Sequence, residues 1–351
     1  MPSNKTFLLY GANGYTARLI IERAERFGLT PILAGRDEAK VKVLAMKHHL
    51  EYRVADLGDA NALDAALEGV GVVLHCAGPF SKTAGAMQQA CLRTQTHYLD
   101  ITGEVAVFEG GKSLNERAKA QGIMIMSGVG FDVVPTDCMA LHLKNQLPDA
   151  THLQLAFAND GGSVSRGTAL TAVENLGAGG LVRENGQLRP VPNAYKTLTV
   201  NFEPGKTLTC ATIPWGDLAT AHQTTGIPNI ETYMSMPPRL IRLSRLGNYL
   251  GWLLGSKPVQ TLLRDRINST LTGPDEAVRN RARSLVWGRV RNGAGQEVEA
   301  RLNCPEGYTL TADMALIITR KVLEGNWKPG YQTPAGLYGE GLVLEGGGKW
   351  V

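Results

Sequence analysis

Long apolar runs are missing from this chain. No uninterrupted stretch approaches the roughly 20 residues that a membrane-spanning helix requires, so no segment is expected to cross a bilayer as a helix. Blocks of lysine and arginine are missing too: charged residues make up 19% of the 351 and the net charge is only +4, which leaves no arm for nucleic acid. Cysteine is scarce and scattered. Cys76, Cys91, Cys138, Cys210 and Cys304 are five in number, widely spaced and without a Cys-x-x-Cys pair, which suits a reducing compartment and excludes a structural zinc. No metal site is expected. No tyrosine is followed four residues later by lysine, which removes the short-chain dehydrogenase arrangement in which lysine lowers a tyrosine pKa for proton transfer. Internal repeats and low-complexity segments are absent. The opening Met-Pro-Ser-Asn-Lys runs straight into a strand and leaves no room for a signal peptide, so the expected location is cytoplasmic.

What is present is an alternation of strand and helix signals over the first 130 residues. Thr6-Phe-Leu-Leu-Tyr10 has the composition of a strand buried on both faces. Ala17, Ile20, Ile21, Ala24 and Phe27 then recur at helical spacing, with Gly28 as the stop. Strands are expected at 31–35, 51–56, 70–77, 97–100 and 123–127, with helices near 61–67, 84–92 and 105–120 between them. This is a doubly wound parallel sheet of the Rossmann type. Beyond Pro148 the pattern becomes alternating and β-like, as in 151–157 and 196–202, interrupted by 167–176 and by a basic helical tract over 239–266. A second, α+β domain with a mixed or antiparallel sheet is expected there. A strong helix signal covers 309–323, closed by Gly325.

Between the first strand and helix lies Gly11-Ala-Asn-Gly14-Tyr-Thr-Ala17. Gly11 admits backbone angles closed to other residues, and Gly14 leaves the helix N-terminus open to a pyrophosphate. Asn13, Tyr15 and Thr16 complete the turn, through backbone amides and the Thr16 hydroxyl; simple N-capping by Asn13 is the structural alternative. The second strand ends in Ala34-Gly35-Arg36, where a dinucleotide-binding fold places the group that meets the adenosine ribose. A guanidinium there pairs with a 2′-phosphate, so NADP(H) is expected over NAD, although Asp37 follows directly. Asp56 ends the third strand as an adenine-edge contact or as a cap for the next helix. Ala77, Gly78 and Pro79 follow the fourth strand, where small residues let a nicotinamide ribose lie against the backbone; an ordinary sharp turn has the same composition.

Four blocks resemble the saccharopine dehydrogenase-like oxidoreductases: Gly11 to Ala17, His75-Cys-Ala-Gly-Pro-Phe80, His97-Tyr-Leu-Asp-Ile-Thr-Gly-Glu104 and Ser127-Gly-Val-Gly-Phe-Asp-Val-Val-Pro-Thr-Asp137, with Gln332-Thr-Pro-Ala-Gly336 near the end. The trans-acting enoyl reductase branch is the most similar. The resemblance implies an NADP-binding Rossmann domain over 1–148, a substrate and dimerisation domain over 149–306, and a segment over 307–351 returning to the Rossmann domain. It implies hydride transfer to an enoyl group of a lipid- or polyketide-like substrate, and a homodimer. Reduction of an imine or carbonyl on an amino-acid-derived substrate is the alternative within enzymes, for which Arg166 and Arg183 are available. A non-catalytic NADPH-binding sensor or scaffold is the alternative outside them. The proton donor is sought among Tyr98, Asp100 and Glu104, with His97 and Tyr15 beside them. A structural role serves each equally well. Asp132 and Asp137 flank Pro135-Thr136, and Asp137 reads as a helix cap, not a base.

Charge is unevenly spread. Between Arg239 and Arg291 eleven lysines and arginines face three acids, a net +8 that leaves the rest of the chain at −4. Arg239, Arg242 and Arg245 alternate with Leu240, Ile241, Leu243 and Leu246, in a tract extending to Leu254. This reads either as a membrane-surface segment near an acyl chain or as an exposed helix with an apolar core face.

Overall fold

The computed structural model describes residues 6–162, 165–174, 179–249 and 256–351. The expectations placed on the first five residues, on the end of 167–176 and on 250–254 lie outside the described residues. The chain divides into two units, Met1–Val134 with Tyr308–Leu337, and Pro135–Gly307 with Tyr338–Val351.

In the first unit, β1 (Thr6–Tyr10), β2 (Thr30–Gly35), β3 (Tyr52–Val54), β4 (Val72–His75), β5 (His97–Asp100) and β6 (Met124–Met126) alternate with α1 (Tyr15–Ala24), α2 (Glu38–His48), α3 (Ala60–Leu67), α4 (Phe80–Thr94), α5 (Val105–Ser113) and α6 (Asn115–Ala120). The strands lie in the order β3-β2-β1-β4-β5-β6, and the short strand Gly330–Tyr331 extends the sheet past β6. Every pairing is parallel. Phe7, Leu8 and Leu9 are fully buried, as a central strand covered on both faces demands. After α1 the chain tightens into a 3₁₀ turn over Glu25–Phe27 and stops at Gly28 in the left-handed conformation.

One expected helix is two. The signal over 105–120 breaks at Leu114, where Ser113 Oγ bonds back to the Gly110 carbonyl at 2.6 Å and Asn115 turns its side chain to the Tyr331 amide at 2.9 Å. Gly110 and Gly111 weaken the helix there, and a Cβ on Gly111 would stand 3.1 Å from the Tyr331 ring. The strong helix signal near the C-terminus forms Gly307–Leu323. Arg23 and Asp313 join it to α1 by a bidentate pair at 2.5 and 2.6 Å, and Thr311 Oγ1 accepts from the Phe131 amide at 3.0 Å.

Helix α7 (Val134–Gln146) leads into the second unit. Its sheet contains β7 (Ala150–Asp160), β8 (Gly180–Glu184), β9 (Gln187–Val191), β10 (Thr197–Glu203), β11 (Lys206–Thr212), β12 (Asn229–Ser235), β13 (Arg283–Asn292) and β14 (Glu297–Pro305). The path runs β10-β11-β12-β7-β13-β14 and ends on Lys349–Trp350, with the β8–β9 hairpin attached to β12. Only β12 with β7 is parallel among these pairs, so the sheet is mixed. One face packs on α7, where Gly288 leaves room for Met139 and Leu143; a Cβ would lie 2.6–2.7 Å from them. The other gathers Ala156, Val200, Phe202, Tyr233, Leu285 and Trp287. Residues 338–351 lie with this unit and not with the Rossmann sheet: Trp350 pairs with Leu302 and stacks on His142 at 4.1 Å. Among the described residues no helix is long and apolar enough to cross a membrane.

Candidate functional site

The carboxyl edge of the first sheet holds the candidate residues. Gly11 leaves β1 at φ +83°, and a Cβ built on it would fall 2.7–2.9 Å from Ala77 beyond β4. Only glycine meets both demands. The Gly14 amide donates to the Gly11 carbonyl at 3.0 Å and Gly14 stands at the N-cap of α1, where it offers no capping side chain, and the first turn holds no acid. Asn13 is therefore not the cap. The first amides of α1 point outward beside a residue without a Cβ, the geometry that receives a phosphate. Asn13, Arg18, Lys40, Val43 and Lys47 line an adjoining cleft of about 450 Å³, with three cations among them. Tyr15 stands edge-on to Tyr308 with ring centroids 5.0 Å apart, and Thr16 is half-buried.

Arg36 is exposed at the end of β2. The acid beside it is already engaged: Asp37 caps α2, accepting from the Lys40 amide at 3.1 Å and pairing with Lys40 Nζ at 2.7 Å. These bonds hold its carboxyl below the ordinary range. Asp56 accepts from the Gly58 amide at 2.8 Å in a local turn and does not cap the next helix. Asp59 does, at 3.0 Å from the Asn61 and Ala62 amides. Asp56 remains at the sheet edge, exposed.

The three candidate proton donors are fasteners. Tyr98 and Asp100 are fully buried, which removes them from contact with a ligand. Tyr98 donates to Asp100 at 2.8 Å; Asp100 also accepts from the Thr102 and Gly128 amides at 3.0 and 2.9 Å, binding the ends of β5 and β6 together. Burial pushes the Asp100 carboxyl up to about 6 and the Tyr98 phenol well above its usual range. Glu104 accepts from the Phe80 and Ser81 amides at 2.7 and 2.9 Å, so it caps α4 across the gap between β4 and β5. His97 is likewise structural. Its Nδ1 accepts from the Met124 amide at 3.0 Å, its ring lies 4.1 Å from Trp327, and burial lowers its pKa to about 4.

Two groups were undervalued by sequence reading. His75 is fully buried at the end of β4, held neutral by a pKa lowered to about 3 through burial, with Nε2 3.0 Å from Thr83 Oγ1, which bonds to the Ala77 carbonyl at 2.6 Å. This fastens the Ala77-Gly78-Pro79 loop to its strand. Asp132, beyond β6, is half-buried with its carboxylate against Gly103: a Cβ there would be 3.1 Å from Oδ2. Burial pushes its carboxyl up to about 7. Asp132 lies within the 127–137 block, but nothing in the local sequence tells a buried acid from an exposed one. Asp137 is also buried; it lies within the first turn of α7 and not at the cap expected for it, and it accepts from Thr224 Oγ1 at 2.7 Å within the second unit.

Residues 7–126 match the family described as saccharopine dehydrogenase NADP binding domain. The lipid droplet localized protein of Caenorhabditis elegans is 29% identical over 188 residues, covering 48% of this chain and 44% of that protein. The saccharopine dehydrogenase-like oxidoreductase of Bos taurus is 26% identical over 213 residues, 53% of this chain and 50% of that one. The trans-acting enoyl reductase of Mycobacterium leprae (strain TN) is 32% identical over 156 residues, 42% of this chain and 37% of that protein. The chain thus spans about half the length, or less, of the curated relatives it matches. The solved saccharopine dehydrogenase (L-Glu forming) of Saccharomyces cerevisiae shares the fold, with a TM-score of 0.67 over 99% of this chain and 100% of that one at 14% identity. A glycine turn that a Cβ would fill, a helix that starts on glycine and an exposed guanidinium fit the nicotinamide dinucleotide that such a domain binds. Residues 7–126 are thus similar to the NADP-binding domain of the saccharopine dehydrogenases.

Proposed function

We propose that this protein is an NADPH-dependent reductase that saturates a polarised carbon–carbon double bond in an acyl, lipid- or polyketide-like substrate. The observation that carries the reading is the Gly11–Ala77 approach beside the start of α1 at Gly14, with Arg36 exposed and Asp37 turned into its own helix. NADPH, when bound, supplies a hydride from its nicotinamide ring. The glycine turn at the start of α1 and Arg36 hold and orient it, and the loop at Ala77, Gly78 and Pro79, which leads into the Glu104-capped α4, shapes the wall beside it. Hydride addition leaves one atom of the double bond needing a proton. Asp132 is our choice of donor, because its carboxyl keeps a proton near neutrality and stands at the same sheet edge; water restores it after each turnover.

The enoyl reading draws on the similarity to the enoyl reductase and on the absence of a tyrosine–lysine pair. An amino-acid-derived substrate would need cations for its carboxylates. Arg166 and Arg183 are instead committed to the backbone carbonyls of Leu271, Leu218 and Gly186. In the second unit a cavity of about 260 Å³ contains Arg189, Lys196 and Arg289, each paired with Glu184, Glu231 or Glu297. A cytoplasmic homodimer working at the membrane periphery completes the proposal. Calorimetry with NADPH and NADH, followed by loss of NADPH absorbance with enoyl, imine and carbonyl panels, tests it. Tight NADPH binding with oxidation only by enoyl compounds is expected. Tight binding without oxidation by any panel would instead favour a cofactor sensor.

A further inference from the structure

Among the described residues, the helix Pro238–Gly247 is held to the second unit along one side only. Ile241, with 5% of its surface exposed, packs on Ala194, Ala211 and Met236. Arg245 Nε donates to the Ala194 carbonyl at 3.0 Å, and Asn248 exchanges hydrogen bonds with the Asn193 backbone at 2.8 and 3.1 Å. At 100° per residue these groups share a side. The other side presents Leu240, Leu243 and Leu246, exposed at 51%, 60% and 60%, and Tyr249 follows at 83%. Eleven large hydrophobic residues are exposed among the described residues, and five fall between 240 and 262. Single exposed leucines need no explanation, but three in register on one helix do.

The charge around this row identifies its partner. Arg239 is exposed on the leucine side and Arg242 at its flank, and neither is in an ion pair among the described residues. From 238 to 270 there are six basic residues and one acid. A second copy of the chain meeting this face about a two-fold axis would bring like charges together. An anionic bilayer does the reverse: leucines enter below the headgroups while guanidiniums remain among the phosphates.

We infer that Pro238–Gly247 is a docking element for membranes rich in acidic phospholipid. The inference deepens the peripheral location in the proposal above and rests on it only for its purpose, since vesicle binding is measured without substrate or cofactor and fails or succeeds independently of turnover.

The test is co-sedimentation of the full chain with vesicles of phosphatidylcholine alone and of phosphatidylcholine with phosphatidylglycerol, at low and high salt. Strong, salt-sensitive partition onto the anionic vesicles and weak partition onto the neutral ones are expected. R239A/R242A should lower partition by roughly fivefold per arginine, about 25-fold in all, and L240S/L243S/L246S by at least about tenfold. Both variants should keep wild-type thermal stability and NADPH affinity; the arginine pair keeps the test decisive if the leucine variant misfolds. Equal partition onto both vesicle types, unchanged partition of the arginine variant, or no binding by the wild type would overturn the inference. So would a concentration-dependent dimer that the leucine substitutions abolish, which would assign the face to a second copy.

Discussion

A methyl group at position 11 would have to enter space already held by Ala77, on a backbone at φ +83°. Gly11→Ala should therefore lower the melting temperature by several degrees and weaken NADPH binding at least about tenfold, since left-handed strain alone is about 1–2 kcal/mol. A folded G11A protein with wild-type NADPH affinity would remove the glycine turn from the site. Arg36 acts on a different quantity, the choice between coenzymes. Losing a charge-assisted bond to a 2′-phosphate costs about 1.5–3 kcal/mol, so Arg36→Ala should weaken NADPH roughly 10- to 100-fold and leave NADH unchanged. Parallel titrations with both coenzymes check it. The glycine turn was legible because its demand is local, a backbone angle, and Arg36 was legible as an exposed charge at a strand end. Asp132 was not legible as an acid: its burial comes from Gly103, far away in sequence.

Among the elements, α4 depends on a distant residue for its start. Pro79 is its N-cap and supplies no side-chain bond, so the carboxylate of Glu104 satisfies the first two amides. Glu104→Gln keeps one acceptor and sets an amide N–H against a backbone N–H. The expected loss is about 1–2 kcal/mol, roughly 2–6 °C in melting temperature for a unit of this size, read by calorimetry. A catalytic Glu104 would give the opposite pattern, with stability unchanged and turnover lost. Its spacing from Asp100 suggested paired carboxylates, yet the two point into different networks. Sequence spacing measures separation along a strand end, whereas Phe80 and Ser81 decide which way the Glu104 carboxylate turns, and Tyr98, Thr102 and Gly128 decide it for Asp100.

At the scale of the molecule, four buried groups of the first unit oppose one another as pH changes. His75 and His97 are lowered to about 3 and 4, so the unfolded chain binds more protons below its own value of about 6.5. Their contribution is present above that value and lost as pH falls toward 4 and 3. Asp100 and Asp132 are raised to about 6 and 7, so the folded chain holds protons that the unfolded one has released above about 4. Their contribution is present below that value and lost as pH rises through 6 and 7. Each group has a limiting slope of about 1.4 kcal/mol per pH unit. The slopes cancel over much of the interval from about 4 to 6.5. Urea midpoints should be nearly flat there, and Asp132→Asn should be more stable relative to wild type at pH 7.5 than at pH 4.5. A difference that does not change with pH would show that Asp132 is not titrating in this range. The sequence by itself determined the strand–turn–helix unit, because glycine stereochemistry and apolar periodicity act within a few residues. Only the tertiary structure decided which acids fasten strands and which carboxyls burial raises, and that the last residues join the second sheet. Burial and pairing depend on neighbours that the chain brings together only when it folds.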